Sequence, residues 1–238
     1  MAAWLLSSPP AHADRIMLPP EATNGLRLIY NGDPDAAIPL FRKLQAANPD
    51  DPLGYLLEGE AMWWKIYCSA LETRYGFLGA WRRPKQADDA AYFALADKTI
   101  ALADARLQEK ETPELHFYAG ISYALKARLH ALREERLAIA RAGVRGREHM
   151  LRAIALDPDF ADAYMGIGLY NYYVDTLSGI ARVLRWFMGI PGGSKSEGIR
   201  QLERAIAAGG MSAVEARFYL AVNLRDHDRQ YERAAQLL

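Results

Sequence analysis

Leu, Ala, Phe and Tyr recur at helical spacing along almost the whole chain, and scarcely any segment alternates apolar with polar residues. That regularity predicts an all-α protein, because a half-buried strand needs period two. The helical pattern also repeats in longer units. In the first, Gly25 lies in one predicted helix, "NGDPD" at residues 31 to 35 makes a turn, and Ala37-x3-Phe41 leads through Leu44 to Pro49. Small Gly25 and Ala37 let two antiparallel helices approach closely, Phe41 fills the gap to the next unit, and Pro49 stops the second helix.

The half-motif of the first helix returns as Tyr55-x2-Glu58-Gly59-x2-Met62, His116-x2-Ala119-Gly120-x2-Tyr123 and Tyr164-x2-Ile167-Gly168-x2-Asn171. Thr112 and Pro113 are placed to cap and open the helix that holds His116. Pro158 closes a helix as Pro49 does. A fifth unit opens with Leu220 and Ala221 and continues to Tyr231, Ala234 and Leu238. This pattern resembles the tetratricopeptide repeat (TPR) family, in which W-x2-L-G-x2-Y is followed by A-x3-F and a proline. The resemblance implies a right-handed solenoid of about five helix pairs. Two second-helix alanines are replaced by Gly146 and Gly198, which keeps the close approach but lowers helix propensity by about 1 kcal/mol at each site. Extra residues separate the half-motifs of the middle units: "WWKIYCSALETRYGFLGAWRRPKQADD", "ARLHALREERLAIARAG" and "LSGIARVLRWFMGIPGG". Their periodicity predicts lengthened helices and a short additional one.

Composition narrows the function. Of 238 residues, 51% are hydrophobic, enough for a large buried core. Lys+Arg 29 balance Asp+Glu 29 and are scattered, which argues against nucleic acid as a partner. The single cysteine, Cys68, reads as a small buried hydrophobe. Ala11-His12-Ala13 before Asp14 resembles the end of a secretory signal, so residues 1–17 are expected to be a signal remnant or a disordered tail and the chain to be exported, periplasmic in a bacterium; without a signal it would be cytoplasmic. Residues 18–238 are expected to form one repeat domain, truncated inside the last helix because solenoids normally end in a polar capping repeat.

No catalytic pattern stands out. The histidines at 12, 116, 130, 149 and 227 are far apart in sequence, with no H-x-x-x-H or Cys/His cluster, so no metal, cofactor or small-molecule substrate is expected and the chain does not read as an enzyme. His116, at the family's tryptophan position, reads as a packing residue. Glu134 and Glu135, neighbours on a predicted helix, point in different directions and read as a solvated face. "IPGGSKSEG" at 190 to 198 lacks the spacing of a phosphate loop. It reads as a helix end at Pro191-Gly192-Gly193, followed by a cap at Ser194 or Ser196.

In TPR proteins the first helices line a groove that takes a peptide or helix of another protein. Carried onto this chain, that groove holds Tyr30, Trp63, Trp64, Phe117, Ile121, Met165, Leu169, Tyr172 and Tyr173, with Leu26, Ile29, Leu56, Glu60, Leu125, Phe218 and Val222 beside them. The lining is apolar and aromatic, and the Lys, Arg and Asn that clamp a terminal carboxylate in some family members are largely missing. Two expectations follow from it. Either the groove is open and binds a protein partner on aromatic anchors, or the inserted segments fill it and the aromatics are core. The alternative partner is a membrane surface, met by the apolar helix expected at 177–190, which is too short to span a bilayer.

Overall fold

Four helices begin on proline, whose missing N–H costs nothing in a first turn: α1 (Pro20–Tyr30), α2 (Pro34–Ala47), α3 (Pro52–Gly76) and α5 (Pro113–Leu132). Six more complete the computed structural model: α4 (Ala87–Glu109), α6 (Arg136–Leu156), α7 (Ala163–Asp175), α8 (Lys195–Ala208), α9 (Ala213–Asp226) and α10 (Tyr231–Leu237). The structure describes residues 16–76, 87–177, 185–186 and 188–238, with the backbone alone at 69–76 and 87. Among these residues there is no strand, and no helix is long and apolar enough to cross a membrane.

Local chemistry sets the helix ends. Asp33 accepts from the Ala36 N–H at 3.0 Å, Thr112 from Leu115 N–H at 3.2 Å, and Ser194 from Glu197 N–H at 3.4 Å. The expected caps at Thr112 and Ser194 are therefore formed. α2 and α6 stop two residues before Pro49 and Pro158. The first two inserted segments lengthen helices: α3 runs for 25 residues and α4 for 23. The second is divided between α5 and α6, and Glu134, at φ 57°, and Glu135 stand in the turn rather than on a helix, because the chain reverses there. Most of 177–190, where the apolar helix was expected, lies outside the described residues, as do residues 1–15 of the segment 1–17 expected to be a signal remnant or a disordered tail; Ile16 of that segment is buried in the core.

Each helix packs against its neighbours in the chain. The odd-numbered helices also touch in succession, α1 to α3, α3 to α5, α5 to α7 and α7 to α9, so they form one row. Glycine makes the seams tight. A Cβ on Gly25 would lie 2.3 Å from Phe41 Cε1, and one on Gly198 would lie 2.6 Å from the Gly168 carbonyl oxygen. Gly120 and Gly146 face each other in the same way, with a Cβ on Gly146 3.0 Å from Gly120 O. Phe41, Met150 and Leu202 pack against these glycines and, like Phe117, are fully buried.

Polar groups fasten the rows. Buried Asp162, at the start of α7, accepts from Gly210 N–H (3.0 Å), Ser212 N–H (2.8 Å) and Ser212 Oγ (2.6 Å), which fixes the turn into α9. Arg133, at the end of α5, donates twice to Asp89 of α4, at 2.7 and 2.6 Å, with both side chains nearly out of solvent. Cys68, on the lengthened α3, is exposed, contrary to its expected burial.

Candidate functional site

The residues expected to line a groove are mostly inside the protein. Trp63, Phe117, Ile121, Met165 and Tyr172 are buried, Tyr30, Trp64 and Leu169 are half-buried, and Tyr173 alone is exposed, at 40%. What covers them is the odd row itself. It curls until α9 reaches α3: the Trp63 indole N–H donates to the Tyr219 hydroxyl at 3.0 Å, and the Phe218 ring stands edge-on to Trp64 with centroids 5.0 Å apart. Tyr67, from the lengthened part of α3, and Tyr30 of α1 close the same aromatic group against Phe218 and Trp64. Farther along, the Tyr172 hydroxyl donates to the Asn223 carbonyl at 3.1 Å and Tyr173 donates to Asn223 Oδ1 at 2.9 Å, so α7 is held to α9 as well. The inserted part of α3 takes part in the filling, while its main occupant is the first helix of the last pair.

A buried charge group lies under these rings. Arg128 of α5 reaches Glu60 of α3 at 3.3 Å and Glu215 of α9 at 2.7 Å, and its guanidinium stands 4.9 Å from the Tyr219 ring centre. Burial, then the like charge of Glu215, push the Glu60 carboxyl up to about 8 against the pull of Arg128. Burial alone would lower Arg128, but Glu215, Tyr219 and Glu60 outweigh it and keep the guanidinium charged. One cation thus faces two carboxyl groups, of which burial holds Glu60 toward its neutral form, an arrangement that limits surplus buried charge. A cavity beside Glu60 and Glu215, also lined by Tyr30, Met165 and Ser212, leaves about 10 Å³ for the centre of a water molecule, room for about one. Glu60 was visible as a groove-facing position; Arg128 and Glu215 carried no sequence signal.

The fold also joins two histidines that are 33 residues apart. His116 Nδ1 and His149 Nδ1 are 3.0 Å apart, His116 Nε2 meets Glu111 Oε1 at 2.9 Å, and Arg152 holds Glu111 by two bonds of 2.7 and 2.6 Å. The ring centroids are 5.3 Å apart, as far as rings with such close nitrogens can be, so the nitrogens point straight at each other. That is the geometry of a shared proton. A shared metal ion needs lone pairs converging to one side. No group of three or more His, Cys, Asp or Glu side chains is placed to hold a metal ion among the described residues.

An open concavity lies on the opposite side of α3. α2 and α4 both pack on α3 and leave beside it a groove of about 650 Å³. Half-buried Ile38, Met62 and Leu95 and buried Ile66 form its apolar part, and exposed Ala91 and Ala94 form the α4 wall. Arg42 bonds Glu58 through Nε at 2.8 Å, Gln45 donates to the other oxygen of Glu58 at 2.6 Å, and the Lys98 ammonium lies over Tyr55, 5.7 Å from the ring centre.

No family model matches the chain, and no curated protein matches it. Among solved structures, the chain is similar to one described as "Crystal structure of MamA", with 17% identity over 90% of this chain and 89% of that one and a TM-score of 0.31. A likeness of that degree carries no functional argument.

Proposed function

We propose that the chain is a non-catalytic scaffold for protein-protein interaction, built as a right-handed TPR-like solenoid of five helix pairs. The sequential packing of ten described helices and the glycine seams at Gly25, Gly120/Gly146 and Gly168/Gly198 support the repeat reading. The observation that carries the functional reading is the groove between α2, α3 and α4. It stays open while α9 occupies the face on which Trp63, Trp64 and Tyr30 were expected to receive a partner. A groove flanked by two helices, with an apolar floor and a charged rim, suits a segment of another protein.

The reading is tested with the photo-crosslinking residue benzoylphenylalanine placed at Ala94 inside the source cell. Protein adducts are expected at Ala94 and not at the exposed Leu151 of α6. If both positions give the same proteins, or neither gives any, the groove is not a docking site.

A further inference from the structure

Resting on that reading, we infer that the partner segment is amphipathic and acidic at one end: its apolar side lies on Ile38, Met62, Ile66 and Leu95, and its carboxylates lie between Arg42 and Lys98. The two ends of the groove differ in charge. At the Ile66 end, Lys65 is paired with Asp35 at 2.7 Å and exposed Asp88 stands at the start of α4, so the named carboxylates outnumber the cation. At the Tyr55 end the only groove carboxylate is Glu58, whose side chain is 6% exposed and already held by Arg42 and Gln45. Arg42, from α2, has its side chain 66% exposed, and Lys98, from α4, is exposed with no carboxylate in ion-pair reach among the described residues. What the Tyr55 end presents to solvent is therefore positive charge from both walls above a sequestered anion.

The floor between the two ends is apolar, and the α4 wall is low because Ala91 and Ala94 have no bulk. An incoming helix or extended segment can approach α4 as closely as the internal helices approach one another, and a large side chain can enter between Met62 and Leu95. Carboxylates beyond that side chain would meet Arg42 and Lys98 across the groove. A basic segment would meet the same cations as like charges and be excluded.

The experiment selects binders for the folded chain from a displayed random-peptide library and measures the synthesised consensus peptide by fluorescence anisotropy. The consensus is expected to combine apolar residues at helical or alternating spacing with Asp or Glu at one end. Ala94→Glu should weaken that peptide at least tenfold, and Lys98→Glu by about fivefold, the upper range for one exposed ion pair. A peptide with its carboxylates changed to lysine should regain binding to Lys98→Glu. Both positions are exposed, so unchanged thermal melting of the two variants shows that they remain folded. A basic or uncharged consensus, no enrichment, or a peptide indifferent to Ala94→Glu overturns the inference. The scaffold reading fails separately, through the absence of crosslinked proteins at Ala94 in cells.

Discussion

Trp63 and Tyr219 are 156 residues apart in the chain, yet the indole of one donates a 3.0 Å hydrogen bond to the hydroxyl of the other. Through this contact the last helix pair is closed onto the first helices, and it removes from solvent the aromatic strip a TPR-like chain would otherwise expose. An uncovered strip of that kind would be an aggregation hazard. The buried Glu60–Arg128–Glu215 group makes the closure specific, since each of its members comes from a different odd-numbered helix.

The closure should be measurable as coupling between its two ends. Trp63→Ala is expected to cost about 3–5 kcal/mol through the cavity it leaves, and Tyr219→Phe about 1 kcal/mol through the lost hydrogen bond. In a double-mutant cycle followed by urea denaturation, the two should be non-additive by about 1 kcal/mol, as residues in contact are. Strict additivity would mean that α9 does not rest on α3 in solution.

Glu60 should make the fold less stable in alkali. The unfolded chain releases this proton near 4.5, whereas burial and Glu215 hold it in the native state up to about 8. The native state binds the extra proton between those values, so its contribution is complete below about pH 4.5 and is lost as pH rises through about 8, a change on the order of a few kcal/mol. Glu60→Gln, neutral at every pH, should resist urea better than the parent at pH 9 and differ little at pH 5. Arg128→Met, which leaves Glu215 without its cation, should cost about 3–5 kcal/mol at neutral pH.

The histidine pair acts in the opposite direction. Burial, then His116, lower His149 below the usual 6.5, while Asp104 and Glu148 raise it, Arg145 lowers it, and Tyr123 stacks on its ring. The unfolded chain takes up a proton that the native state refuses, so stability present above about pH 6.5 is lost as pH falls below it. Glu111, held down to about 2 by Arg152 and His116, stays ionised through that range. His149→Gln, whose amide can still donate to His116, should flatten the fall in urea midpoint between pH 7 and 5; an unchanged slope would place the titrating group elsewhere.

Glycine substitutions separate seams from open positions. Gly198→Val would drive its Cβ into the Gly168 carbonyl oxygen at 2.6 Å and the Tyr172 nitrogen at 2.8 Å, both backbone atoms that cannot step aside, and should cost about 3 kcal/mol or more. Gly143→Ala meets only Tyr170 Cε2 at 4.0 Å and should gain up to about 1 kcal/mol of helix propensity. Thermal melting of the two variants in opposite directions is the expected result.

Much of this architecture was legible in the chain because its signals are local. Thr112 is three residues from the N–H it caps, Pro49 and Pro158 end their helices by their own covalent chemistry, and the Ala37-x3-Phe41 spacing places Phe41 opposite Gly25. The site was less legible. Trp63 and Phe117 read equally well as anchors and as core, and which they are depends on where α9 falls, a property of the accumulated curvature of the whole row. Arg128 and Glu60 are 68 residues apart, and His116 and His149 are 33 apart; nothing near either member announces the other. Cys68 falls in an inserted stretch with no counterpart in the repeat pattern, so the pattern does not indicate its exposure.

The chain itself occupies the face between α3 and α9. Benzoylphenylalanine in place of half-buried Phe218, irradiated in the source cell, tests this directly, since the ring lies 5.0 Å from Trp64 and 6.1 Å from Tyr67. The expected product is an intramolecular adduct joining the α9 peptide to the α3 peptide, with the chain remaining at its own mass. Adducts of Phe218 with another protein would show that a partner occupies this face and would contradict the account.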